Sequence, residues 1–252
     1  MRVLLAVVLI LASGAAGASS CLQVAERARV VPASLEADEV SISYVGHAAF
    51  RIESAGGVTA VTDFSGWWGD GPPPDVATMN RAHITHWTPD PDPAIERVLP
   101  GWGQDGEPAK HWLMLDDMLV RNVPTDIRRW DGGTEPFGNS IFIFEAGDLC
   151  VGHLGHLHHQ PTEAQYGLIG RLDVVMAPVD GGYTMNQPAM IEVLKRLRAR
   201  VVIPMHWFGE TNLRRFLDGM RDEFDVVETD DASVVLSRER LPARPRVLVL
   251  RP

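Results

Sequence analysis

The apolar positions of the chain change their spacing near residue 150. Before this point short apolar stretches are separated by glycines, which is typical of an antiparallel meander. Residues 64–80 are rich in Gly and Pro and are predicted to form a loop. The strands predicted in this half lie at residues 40–45, 49–52, 58–63, 82–86, 119–123 and 140–145.

After Cys150 the pattern predicts helices that alternate with strands. Thr162 and Gln165 fit a capping box, which opens a short helix. Asn186 is placed to cap a second helix that runs to Arg198 with one apolar face, and Thr211 caps a third that runs through Met220. The remaining predicted strands lie at residues 174–177, 201–205, 225–228 and 233–236. Periodicity alone supports a mixed α and β domain and selects no single fold.

The N-terminus predicts export. Arg2 precedes an apolar run at residues 3–12, and Ala16-Gly17-Ala18 offers the small residues that signal peptidase recognises. We therefore predict a signal peptide at residues 1–18 and a periplasmic or secreted protein. The domain boundaries that follow are an N-terminal arm at 19–38, a folded domain at 39–237 and a C-terminal covering arm at 238–252.

The two cysteines leave two interpretations open. In an oxidising compartment Cys21 and Cys150 could form a disulfide that fastens the N-terminal arm to a strand. Alternatively Cys150 is a buried thiol, and Cys21 is free or carries a lipid as part of a loose lipobox.

Charge limits the partners of the protein. The formal net charge is -10 and the basic residues form no stripe, so nucleic-acid binding is not expected. No long apolar segment follows the N-terminus, so membrane contact is expected only through the signal peptide or through lipidation at Cys21.

Histidines stand where several predicted strands end. His47 and His206 each follow such a strand, His83 and His86 flank the end of another, and His153, His156, His158 and His159 crowd one segment. A ring at the end of a buried strand is held rigidly with its nitrogens free, which metal ligation requires. The pattern predicts a metal site.

Six short motifs, in this order, resemble the metallo-β-lactamase superfamily and its ascorbate-phosphate-lactonase-like branch. They are Tyr44-Val-Gly-His-Ala48, Thr62-Asp63, Thr85-His86, Gly138-Asn-Ser140, Pro178-Val-Asp-Gly-Gly-Tyr-Thr-Met185 and Ile203-Pro-Met-His206. The resemblance implies an α+β fold, a four-layer αββα sandwich with the site between the sheet edges.

The family's main motif, His-x-His-x-Asp-His, usually supplies ligands to two zinc ions and is incomplete here. His86 is matched to its first His and Asp90 to its Asp, while Thr88 and Pro91 replace the other two imidazoles. The resemblance also aligns Asp126 with a later His, His156 with the usual bridging Asp, and His206 with the final His. Because His156 is a poor bridge between two cations, the expected site holds one divalent metal: zinc, with iron or manganese as alternatives.

The expected function is a metal-dependent hydrolase acting on a small molecule such as a lactone, a phosphoester or an amide. The expected ligands are His86, Asp126, His156 and His206, and Asp90 is the candidate catalytic residue that orients or deprotonates water. Residues expected behind the ligands or facing the substrate are His47, His153, His158, His159 and Tyr183. The alternative is an exported binding protein that keeps the fold without catalysis, and a weaker one is a metal carrier.

Overall fold

A computed structural model describes Cys21 and residues 38–252. The predicted signal peptide and nearly all of the N-terminal arm lie outside the described residues. The elements in chain order are β1 (Val40–Gly46), β2 (Ala49–Ser54), β3 (Thr59–Val61), β4 (Val76–Met79), β5 (Arg97–Pro100), β6 (Trp112–Leu115), β7 (Met118–Arg128), β8 (Thr134–Ala146), β9 (Leu149–His153), α1 (Glu163–Ile169), β10 (Val174–Pro178), α2 (Gln187–Leu197), β11 (Val201–Met205), α3 (Glu210–Met220), β12 (Asp225–Glu228), β13 (Ser233–Leu236) and β14 (Arg246–Val249).

The strands form two sheets. One has six strands in the order β13-β1-β2-β3-β4-β5, and the other has eight in the order β12-β14-β11-β10-β9-β8-β7-β6. Antiparallel pairing from β1 to β3 gives way to parallel pairing of β3, β4 and β5. In the second sheet β9, β10 and β11 are likewise parallel. Each sheet therefore brings the carboxyl ends of consecutive parallel strands to one edge.

The main core lies between the sheets, and β8 shows why both of its faces are apolar. Ile141 and Ile143 point to the side where the helices lie, whereas Phe142 and Phe144 point into the space between the sheets. A strand buried on both faces has no polar alternation, so it appears in the sequence as a continuous apolar run. The same division holds for β10 and β11.

The three α-helices of the described chain pack on the outer face of the eight-stranded sheet through an apolar cluster. Loop residues cover the outer face of the six-stranded sheet: Trp68, Trp87 and Trp102 pack around Phe64 and Met79. The predicted α+β sandwich of two sheets is thus confirmed, with helices along one outer face in the described part of the chain.

The structure corrects several element predictions. The predicted loop 64–80 contains β4, a buried four-residue strand that the surrounding Gly and Pro residues concealed. Residues 82–86 are not a strand, because the chain turns back there and the Asn80 N–H donates to the His86 carbonyl at 3.1 Å. The segment 238–252 is not merely a covering arm, since its strand β14 lies between β11 and β12.

Cys21 and Cys150 form a disulfide with their Cα atoms 5.9 Å apart. Of the two interpretations the sequence left open, the structure therefore contains the disulfide, which fastens the N-terminal segment to β9. Cys21 makes a further backbone contact, because its carbonyl accepts a hydrogen bond from the Arg171 N–H at 2.9 Å. Across the described residues, no helix has the length and apolar character needed to span a membrane.

Candidate metal centre

The loops that follow five parallel strands supply the polar residues of one site. Asp63 follows β3, His86 follows β4, His156 follows β9, Asp180 follows β10 and His206 follows β11. Because carboxyl ends of parallel strands share an edge, residues far apart in sequence converge there. The two sheet edges face each other across this point.

Two of these residues have backbone conformations that side chains rarely adopt. His206 has φ 56° and Asp63 has φ 43°, in the left-handed region that favours glycine. Such conformations persist where the surrounding structure enforces them, and they concentrate at functional sites. In His206 the backbone N–H is fixed by donating to the His47 carbonyl at 2.8 Å.

Four histidines converge at the centre. In His83, His86, His156 and His206, ligand nitrogens lie within 4.8 Å of one another. His86, His156 and His206 are buried, whereas His83 is half-buried. The structure thus brings together three of the predicted ligands and adds His83, which the sequence analysis had left unassigned.

A buried carboxylate holds each of two rings. His86 Nδ1 donates to Asp63 Oδ2 at 2.5 Å, and His206 Nδ1 donates to Asp180 Oδ1 at 3.0 Å. Asp63 in turn accepts from Asn80 Nδ2 at 2.8 Å. A proton held on Nδ1 leaves the lone pair on Nε2, so both rings present their Nε2 as an acceptor.

Those two acceptors are unpartnered in the described protein. His86 Nε2 and His206 Nε2 are buried and have no hydrogen-bond partner. Burying an unsatisfied polar atom is costly, so two such atoms at one point call for a ligand. A divalent cation fits them, because a histidine ligand characteristically passes its other N–H to a carboxylate.

His156 is fixed by a different set of contacts. Its Nε2 lies 3.0 Å from His83 Nε2, and its Nδ1 lies 2.5 Å from His158 Nε2. His158 Nδ1 accepts from the Arg128 N–H at 2.7 Å, which ties the pair to β7. Gly155 precedes His156 with φ 58°, and an added Cβ would lie 2.3 Å from Asn80 Nδ2. Only glycine therefore allows this turn.

His47, His83 and His156 are neutral near pH 7. Burial, with the neighbouring histidines, lowers the pKa of His83 to about 4 and that of His47 to about 3. Burial also lowers the pKa of His156. The neutral ring is the form that binds a metal, so ligation by these rings does not compete with their protonation near pH 7.

The two carboxylates remain ionised in spite of their burial. Burial alone would raise the pKa of Asp180, but hydrogen bonds from His206 and Thr184 and from backbone amides lower it below its usual range. Burial likewise opposes ionisation of Asp63, but electrostatic interactions with His86 and His153 and hydrogen bonds from His86 and Asn80 lower its pKa overall. The site therefore places two anions directly behind two ligand rings.

His83 was missed because the family motif was matched in the wrong register. If His86 is matched to the last His of His-x-His-x-Asp-His, His83 becomes the second His. Arg81 then replaces the first His, and Thr85 replaces the Asp. The spacing of His83 and His86 was visible in the sequence, but the false strand at 82–86 obscured it.

The two predicted carboxylates are not part of the group. Asp126 of β7 lies opposite a bulge in β8, and its Oδ1 accepts from the Phe137 N–H of that bulge at 2.9 Å. The bulge directs that oxygen to the neighbouring strand rather than to the histidines. Asp90 is exposed, and its backbone N–H donates to Thr88 Oγ1 at 3.3 Å. The shifted motif register explains its misplacement.

The residues that were predicted to lie behind the ligands or to face the substrate differ in their distance from the histidine group. His47 lies beside the group, with its ring centroid 4.2 Å from that of His206 and its Nε2 3.0 Å from Thr85 Oγ1. His153 is buried and its Nε2 lies 2.8 Å from the Ala48 carbonyl, a contact between the two sheets. His159 is exposed, and its ring centroid lies 6.3 Å from that of His158. Tyr183 is 66% exposed at the rim.

Comparison with known proteins gives related sequences. A UPF0173 metal-dependent hydrolase of Salinibacter ruber is 24% identical over 221 residues, which cover 76% of this chain and 95% of that protein. One from Pyrococcus horikoshii is 26% identical over 48% of this chain and 53% of its own length. A UPF0173 protein of Pyrococcus abyssi is 30% identical over 24% of this chain. The chain spans 28% of the length of this last relative.

The fold also has solved counterparts, and a family model covers the site. A Thermotoga maritima structure, named as a zinc-dependent hydrolase of the metallo-β-lactamase superfamily, is 27% identical with a TM-score of 0.60. The match covers 84% of this chain and 98% of that one. Residues 41–206, which hold all four histidines, match the model of the β-lactamase superfamily domain. The chain therefore belongs to the family of β-lactamase superfamily domains, as its motifs predicted.

Proposed function

We propose that the protein is a metal-dependent hydrolase that cleaves a small molecule with water at the four-histidine group. The unpartnered, carboxylate-backed Nε2 atoms of His86 and His206 carry this proposal. The family membership supports it, as do relatives named metal-dependent hydrolases. We propose zinc as the metal because an all-imidazole set suits it, with iron or manganese as alternatives.

The number of ligands bears on catalysis. Four protein ligands would close a tetrahedral zinc site, whereas catalytic sites keep one position open. We therefore assign the three buried rings as ligands: His86, His156 and His206. An ion held there would act as a Lewis acid on the substrate and make a water molecule more nucleophilic.

His83 is then free for another task. It is the half-buried member of the group, its Nε2 faces His156, and its Nδ1 lies 2.7 Å from Thr85 Oγ1. Thr85 Oγ1 also lies 3.0 Å from His47 Nε2. We propose that His83 Nε2 accepts a proton from the attacking water and that the Thr85 and His47 contacts keep its ring in place.

Matched histidine variants test this division of roles. His206→Ala should abolish stoichiometric zinc binding, because the ion loses a ligand and its carboxylate support. His83→Ala should keep the zinc but lose about 100-fold or more in kcat, in the range of general acid–base contributions. Metal content by mass spectrometry, hydrolysis rates and circular dichroism would be measured together on protein made without a His-tag.

The outcomes separate the alternatives. Zinc loss in His83→Ala would make it a ligand and contradict its assigned role. Tight zinc binding without hydrolysis of any ester, lactone, amide or phosphoester would instead favour the non-catalytic binding protein.

We also propose that the protein is exported, on the basis of the N-terminal leader pattern. The Cys21–Cys150 disulfide supports this proposal, since such bonds persist in oxidising compartments. The bond uses the sulfur that lipidation of Cys21 would need, so we propose a secreted or periplasmic protein without a lipid. Intact-mass measurement should show the loss of residues 1–18. A full-length product, or a diacylglycerol-sized increment, would contradict this.

A further inference from the structure

A pocket of about 320 Å³ opens beside the histidine group. His83 and His156 form part of its lining, so a molecule in the pocket lies next to the proposed reaction centre. The rest of the lining mixes apolar side chains, two arginines and backbone, namely Ala82, Ile127, Arg128, Arg129, Trp130, His158, Gly182 and Tyr183. These residues determine what can bind beside the centre.

Two exposed aromatic side chains belong to the lining of the pocket, and a third, Phe208, lies beside Tyr183. Trp130 and Tyr183, both in the lining, are 103% and 66% exposed. Phe208 is 58% exposed, and its ring centroid lies 5.3 Å from that of Tyr183 and 5.1 Å from that of His206. Large apolar side chains clustered at a cleft are typical of a site that binds an apolar group.

The two arginine side chains of the lining already have partners. Arg128 Nη2 already donates to the carbonyls of three consecutive residues, Gly182, Tyr183 and Thr184. The Arg129 guanidinium pairs with Asp131 at 2.8 Å. Two carboxylates lie behind the ligand rings, so a divalent cation bound there would leave the centre with little net positive charge to attract a dianion.

Given the hydrolase proposed above, we infer that its substrate is an uncharged acyl compound with an apolar or aromatic group. That group lies against Trp130, Tyr183 and Phe208, and the acyl carbon lies beside His83 and His156. The oxygen of water forms a bond to the acyl carbon, and the bond from that carbon to the leaving oxygen or nitrogen breaks. One proton of the water passes to the leaving group, so the products are a carboxylic acid and an alcohol or amine.

Two substrates with the same leaving group test the inference. Zinc-loaded protein is assayed with 2-naphthyl butyrate and with 2-naphthyl phosphate, and released naphthol is measured. We expect kcat/KM for the butyrate to exceed that for the phosphate by at least about tenfold. Preference for the phosphate would overturn the inferred substrate class, although the proposed hydrolase would stand.

Variants of the rim test the binding contacts. Trp130→Ala and Tyr183→Ala should each raise KM for 2-naphthyl butyrate about tenfold, because each removes an aromatic contact. Neither should lower kcat as His83→Ala does. Trp112→Ala is the matched control, since Trp112 is 51% exposed on the edge strand β6 and does not line the pocket. Unchanged KM in both rim variants would contradict the inference.

A binding assay separates failure of the inference from failure of the hydrolase proposal. The uncharged fluorophore N-phenyl-1-naphthylamine is titrated into EDTA-treated protein, which needs no catalysis. Binding that weakens in Trp130→Ala but not in Trp112→Ala would support the apolar pocket even if no substrate were hydrolysed. Equal binding by both variants and the wild type would overturn it.

Discussion

The buried and the open sides of the histidine group are constructed differently. On the buried side, His86 and His206 each donate to a carboxylate, and their Nε2 atoms have no partner. On the open side, His83 is half-buried, and its two ring nitrogens lie near Thr85 Oγ1 and His156 Nε2. The buried side is therefore suited to hold a cation, whereas the open side is accessible to solvent.

The buried side carries an energetic cost that a cation would offset. Asp63 and Asp180 are ionised, and removing a charge from water is costly unless it is well paired. In the absence of an ion, neutral rings and hydrogen bonds provide only part of that compensation. A divalent ion beyond the rings would supply the missing positive charge, which is why we expect the carboxylates to govern metal affinity.

The largest effect expected within this comparison comes from removing one carboxylate charge. Asp180→Asn and Asp63→Asn should each weaken zinc binding about 10–100-fold, the range found when the partner behind a metal-ligating histidine is lost. The amide keeps the shape of the side chain but no longer enforces a proton on Nδ1. Competition with a fluorescent zinc chelator gives the affinities.

Asp90→Asn is the matched control for these variants. Asp90 is exposed and is not a member of the histidine group, so zinc affinity should be unchanged. If Asp90→Asn weakened binding as much as Asp180→Asn, the contrast between buried carboxylates and surface ones would be wrong.

A smaller effect is expected when acid is applied to the metal-free protein. The pKa values of His83 and His158 are lowered from 6.5 to about 4, chiefly by burial. Between these values the unfolded chain binds protons that the folded chain does not, so acid favours unfolding. The free energy of unfolding should therefore fall as pH decreases from 6.5 towards about 4, as measured by urea denaturation.

A variant of His158 tests whether the lowered pKa values cause this dependence on pH. His158→Gln removes one of the two histidines with a lowered pKa. The free energy of unfolding should therefore depend less steeply on pH between 6.5 and about 4. A free energy of unfolding that stays level from pH 6.5 to about 4 would contradict the lowered pKa values.

Much of the fold was accessible from sequence because its patterns are local. The apolar run ending at His206 predicted β11, and Thr162 with Gln165 predicted the capping box observed at α1. The strand β4 was missed because four residues between Gly- and Pro-rich segments carry too little periodicity. Likewise β14 is recognisable only once β11 and β12 stand on either side of it.

The residues of the candidate site likewise fall into those that the sequence could predict and those that it could not. Sequence could propose His86, His156 and His206 because each lies next to a strand or glycine turn with a family counterpart. It could not exclude Asp126, because the direction of that side chain depends on a bulge and on the N–H of Phe137 across the strand pair. The alignment to the family motif did not include His83. Which residues of this segment face the site is visible only in the folded chain, where the Asn80 N–H donates to the His86 carbonyl and closes a turn.

The amino-acid sequence was sufficient to predict the family, a meander followed by alternating helices and strands, and a histidine-rich centre at strand ends. These predictions follow from the local order of apolar and polar residues, which can be read from each segment without knowledge of the fold. The tertiary structure alone decided which imidazoles meet, which carboxylates lie behind them, and which aromatic side chains stay exposed around the pocket. Those properties depend on distances between residues that are separated in sequence, by 23 positions for Asp63 and His86 and by many more for His86 and His206, and packing of the two sheets sets these distances.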